Sequence, residues 1–60
     1  MGMLPIFNSE PGPAAWVSRG NTLRSHGRFR EALRCYDRAI DIDPSCADAW
    51  LEKGRLLQRM

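Results

Sequence analysis

The chain has 60 residues, 43% of them hydrophobic, and a net charge of +2. That length allows one small domain, which buries only about 60% of the surface its unfolded form exposes. Residues 1–30 carry four arginines against Glu10, and residues 31–60 carry five basic against six acidic groups; this asymmetry is too mild for a nucleic-acid-binding tail, and no apolar run approaches the ~18 residues of a membrane span.

Residues 1–12 read as an N-terminal arm. The start MGMLPIF lacks the basic leader of a secretory signal, and Pro5 breaks its apolar run. Ile6 stands where a myristoylation signal has Ser or Thr. The expected compartment is the cytoplasm. The stretch SEPGP, Ser9 to Pro13, is dense in helix breakers, and Pro13 suits the first turn of a helix, where the missing N–H costs nothing.

The first predicted helix runs from Pro13 to His26. Trp16, Gly20 and Leu23 share a stripe at spacings of four and three, and Gly27 is its stop signal. The second runs from Phe29 to Ile42, with Phe29, Ala32, Leu33, Tyr36, Ala39 and Ile40 at helical spacing. So short a link makes the two an antiparallel hairpin. Pro44 ends the second helix. The third runs from Cys46 toward Met60, with Ser45 as its expected cap and Asp48 near its first amides. The fold class is therefore all-α: a helix–turn–helix hairpin plus a third helix.

One feature of the first helix needs a reason. Gly20 sits inside it, at a cost of about 1 kcal/mol relative to alanine. AWVSRGNTL, Ala15 to Leu23, returns as AWLEKGRLL, Ala49 to Leu57, thirty-four residues later. The repeated glycine lets another helix backbone approach closely, with Ala32 and Ala39 as small surfaces and Trp16 and Tyr36 as fillers.

These residues resemble the tetratricopeptide repeat, whose helix–turn–helix period is thirty-four. Trp16, Gly20 and Leu23 match its first-helix pattern, Ala32, Tyr36 and Ala39 its second, and Pro44 its close. Arg19 and Lys53 stand for the usual leucine, and Leu23 and Leu57 for the usual tyrosine. The resemblance implies an α-solenoid fragment: one full repeat over 13–46, then the first helix of a second over 47–60. It also implies a non-enzymatic protein–protein interaction module without cofactors, whose first helices line a groove for a peptide or partner helix. On that pattern Val17, Asn21 and Arg24 point into the groove from the first helix. Leu51, Arg55 and one of Gln58 or Arg59 do so from the third. The surface suits an acidic peptide or a terminal carboxylate. One family subgroup clamps chaperone carboxylates; Asn21 matches a clamp asparagine, but Val17 replaces a clamp lysine.

Other chemistry is weakly supported. DIDPSCADAWLE, Asp41 to Glu52, echoes a calcium loop, yet Cys46 stands where the sharp turn needs glycine and Pro44 stiffens the start. His26, Cys35 and Cys46 are the alternative metal set, at spacings unlike the short pairs of zinc sites. Arg30, Arg34 and Arg38 form the alternative nucleic-acid stripe, but Asp37 and Asp41 lie within a turn of Arg34 and Arg38. A Cys35–Cys46 bridge would span about 10 Å of helix, beyond disulfide reach, so two reduced thiols are expected.

The third helix carries Trp50, Leu51, Leu56 and Leu57 with no following helix to cover them. A repeat cannot bury its apolar face alone. The sequence therefore predicts self-association through Trp50, Leu56 and Leu57, most simply as a homodimer, or membership of a longer array; the other remedy is for the arm residues Met3, Leu4, Ile6 and Phe7 to fold back over one end. Neither nucleic acid nor membrane is an expected partner.

Overall fold

The computed structural model describes residues 12–60. The expected arm, apart from Gly12, lies outside the described residues. Three helices follow: α1 (Pro13–Ser25), α2 (Phe29–Ile42) and α3 (Ala47–Arg59). Each agrees with its predicted range to within one residue at either end.

Local chemistry explains the boundaries. Pro13 opens α1 directly after Gly12, which caps it in an extended conformation. Gly27 closes it with φ 79°, a left-handed backbone that a β-carbon opposes. The Gly27 amide donates to the Arg24 carbonyl and the Arg28 amide to the Leu23 carbonyl, each at 2.9 Å. That pair of bonds satisfies carbonyls the helix end would otherwise orphan. At the start of α2, the Arg28 guanidinium meets Glu31 at 2.9 Å, and Glu31 places its charge near the positive end of the helix dipole. The Asp43 amide donates to the Ala39 carbonyl at 2.9 Å as α2 ends before Pro44.

The start of α3 corrects one expectation. Ser45 does not cap it; Cys46 occupies the cap position, with no side-chain hydrogen bond. Instead, Asp43 Oδ1 accepts from the Ser45 amide at 3.1 Å and the Ser45 hydroxyl at 2.7 Å. The nearest acceptor for Ser45 lies two residues back, so the hydroxyl tightens the turn rather than the helix.

The core forms where the three helices meet. Val17, Ala32, Cys35, Tyr36, Ala39, Ala49 and Leu56 are buried, with Tyr36 and Leu56 the largest side chains fully enclosed. Ala32 and Ala39 of α2 are fully buried in the same cluster. Gly20 makes room for a side chain rather than for the expected helix backbone: a β-carbon there would stand 2.6 Å from Cε1 of Tyr36. The Tyr36 hydroxyl then donates to Asn21 Oδ1 at 2.6 Å, which satisfies the polar tip of a buried ring.

Two neighbouring residues of α3 tie it to the hairpin. Glu52 pairs with Arg24 of α1, and Lys53 pairs with Asp37 of α2 at 2.7 Å. Asp37, expected to serve its own helix, thus bridges two helices. Leu56 also departs from expectation. It is fully buried, so it belongs to the core and not to an uncovered face. The reason is that α3 turns Ala49 and Leu56 inward, whereas their counterparts on α1, Ala15 and Thr22, are exposed.

Candidate functional site

The uncovered surface of α3 is the candidate site. Trp50, Leu51 and Leu57 are all about half exposed, at 52%, 53% and 51%, and large apolar groups left in water point to a contact surface. Trp50, Leu51, Gly54, Arg55 and Gln58 line an open hollow of about 370 Å³. Trp50 does not hang free in it. Its indole N–H donates to the Pro44 carbonyl at 2.8 Å, and the Lys53 ammonium lies 5.7 Å from the ring centroid. A hydrogen bond at one edge and a cation over one face hold the ring in place.

The thirty-four-residue period explains the hollow. Leu51, Gly54 and Arg55 are the counterparts of Val17, Gly20 and Asn21. On α1 those positions receive Tyr36 of α2. On α3 none of the described residues stands within 4 Å of the place a Gly54 β-carbon would occupy. The sequence repeats the socket, and the described residues fill only one of the two.

The expected groove is therefore divided. Val17, expected to point into the groove, is instead buried in the core. Asn21 is engaged by the Tyr36 hydroxyl, and Arg24 by Glu52, so the α1 side of the groove is spent on internal contacts. Leu51 and Arg55 do line an open surface, joined by Gln58. Gly54 was missed as a site residue, although its repetition of Gly20 is plain in the sequence.

The other candidate residues scatter. A second hollow, about 340 Å³, lies between α1 and α2 beside Trp16, Arg19, Leu23, Arg34 and Cys35. Burial pushes the Cys35 thiol up, against the opposing pull of Arg19 and with help from Glu31. Burial likewise pushes the Tyr36 phenol up, with Arg24 opposing and Glu52 and Cys35 adding. Both cysteines are free. His26 is exposed at the end of α1, Cys35 is buried within α2, and Cys46 lies at the start of α3. Among the described residues no three of His, Cys, Asp and Glu are placed to hold a metal ion. Arg30, Arg34 and Arg38 are exposed on α2. Among the described residues no helix is long and apolar enough to cross a membrane.

No curated protein and no solved structure matches the chain. A family model, that of the tetratricopeptide repeat, matches residues 13–46. The match spans the whole α1–α2 hairpin and more than half of the chain, which therefore belongs to the tetratricopeptide repeat family, whose members generally serve as non-catalytic protein-interaction modules.

Proposed function

We propose that this chain is a protein-interaction module in which α3 is the first helix of a second repeat, and that the surface around Gly54 receives a helix from a protein partner. The observation that carries this reading is the contrast between two equivalent glycines. Gly20 is covered by Tyr36, and Gly54 is open amid half-exposed Trp50, Leu51 and Leu57. Covering one large apolar side chain is worth roughly 1.5–3 kcal/mol, so an incoming helix has several such groups to gain from.

The test follows from the register. A second copy of residues 27–46 joined directly after Met60 continues the thirty-four-residue period without a break. If α3 is an unfilled first helix, the added hairpin partner raises the melting temperature, by about 4–8 °C for each kcal/mol gained. Trp50 emission moves to shorter wavelength at the same time. An unchanged melting temperature and an unshifted Trp50 would sink the reading.

A further inference from the structure

We propose that the hollow around Gly54 takes an amphipathic helix of another protein, one that lays an aromatic ring across Gly54 and sets a carboxylate at the ring's tip, against Arg55. This rests on the docking reading above and names the chemistry of the occupant.

The filled socket on α1 is the template. There the ring lies so close to Gly20 that a β-carbon would stand 2.6 Å from it, and its hydroxyl donates to Asn21 Oδ1. The nearby cation, Arg24, is neutralised by Glu52. One period on, the shape is kept and the polarity is changed. Gly54 still offers an open bed for a ring. The acceptor Asn21 is replaced by Arg55, which has donors only. The position of Arg24 is taken by Gln58, and among the described residues no acid lines the hollow. Among the described residues the Arg55 side chain has no ion pair or hydrogen bond. A phenol there exchanges at most single bonds with Arg55 or the Gln58 amide, whereas a carboxylate meets the guanidinium as its counter-charge and gains the stronger, charge-assisted bond.

The same polarity argues against a second copy as the occupant. A two-fold contact centred on Gly54 brings the Arg55 guanidinium groups of both copies together, and among the described residues no carboxylate lines the hollow to offset them. The ring and hydroxyl of α2 are already spent inside its own hairpin.

The 60-residue chain is titrated with three peptides copying residues 27–46. They carry tyrosine, phenylalanine or 4-carboxyphenylalanine at the place of Tyr36, and calorimetry reads the affinities. The carboxylated peptide is expected to bind about tenfold more tightly than the tyrosine peptide, with a preference that shrinks in high salt. In Arg55→Asn, which restores the polarity of the filled socket, the order reverses. Arg55 is exposed, and circular dichroism confirms that the variant keeps its helices. Trp50→Glu weakens all three. Equal affinities, or a wild-type preference for tyrosine, overturn the carboxylate assignment while leaving helix docking intact. No binding by any peptide overturns both, and the fused-repeat experiment reads docking separately. A wild-type dimer in sedimentation equilibrium that is lost in Trp50→Glu and kept in Arg55→Asn makes a second copy the occupant and overturns the proposal.

Discussion

The ring of Tyr36 rests on the α-carbon of Gly20, and a β-carbon there would stand 2.6 Å from Cε1 and 2.9 Å from Cδ1. Neither partner can give easily, because Tyr36 is fully buried and its hydroxyl is held by Asn21. Gly20→Ala is therefore expected to destabilise the chain, with overpacking of about 1–3 kcal/mol exceeding the ~1 kcal/mol gain in helix propensity. Gly54→Ala meets none of the described residues within 4 Å and is expected to stabilise by about that propensity gain. Paired urea titrations decide it. Two alanines with effects of the same sign would contradict the account of the filled and open sockets.

Gly27 bears on stability in a different way. Its φ of 79° costs any residue with a β-carbon about 1–2 kcal/mol, although space there is open. Gly27→Ala should lower the melting temperature, and Gly27→Asn should lower it less, since asparagine tolerates the left-handed region. Thermal melts monitored at 222 nm rank the two.

The two ion pairs that hold α3 differ in exposure. The Glu52 side chain is 16% exposed, whereas Asp37 is 50% exposed. A double-mutant cycle on Lys53 and Asp37 should give less than about 1 kcal/mol. The same cycle on Arg24 and Glu52 should give more, about 1–2 kcal/mol, because the pair sits farther from water. Repeating both cycles in high salt should shrink the exposed pair first.

Alkaline pH should weaken the fold. Burial raises the pKa of both Cys35 and Tyr36 in the folded chain, from ordinary values of 9.0 and 10.0. The unfolded chain then loses these protons at lower pH than the folded chain. Stability from this source is complete below the ordinary values and falls as pH rises through them toward the raised ones. Melting temperature measured between pH 7 and 11 should decline above about pH 9. Tyr36→Phe should flatten part of that decline, while lowering stability at pH 7 by about 0.5–1.5 kcal/mol for the lost bond to Asn21.

Much of this molecule is legible in its sequence. Helical spacing, Pro13, Gly27 and Pro44 mark all three helices, and the return of Gly20 at Gly54 marks the two sockets. What periodicity cannot see is which neighbour each helix has. Leu56 and Thr22 occupy the same repeat position, yet Leu56 is buried and Thr22 exposed, because α3 packs on a hairpin through a side that α1 leaves open. The groove residues Asn21 and Arg24 were read from a family pattern that describes direction but not partners. Tyr36 and Glu52 reach them first, since burying a phenol or a carboxylate without a partner costs more than leaving a groove less polar. Ser45 went astray for a simpler cause: Asp43, two residues back, competes for the same hydroxyl.

The clasp from Glu52 to α1 and from Lys53 to α2 fastens the third helix to the hairpin. The hairpin closes on itself through the tight turn at Gly27 and the seated ring of Tyr36, with contacts close in sequence. The third helix adds Ala49, Leu56 and two adjacent charged side chains. Amide exchange should therefore be slowest in the middle of α1 and α2 and faster along α3, whose amides exchange through an opening that leaves the hairpin standing. In that opened form Leu56 would join Trp50 and Leu57 on a free helix, and the apolar surface on show would be wider than that of the resting structure.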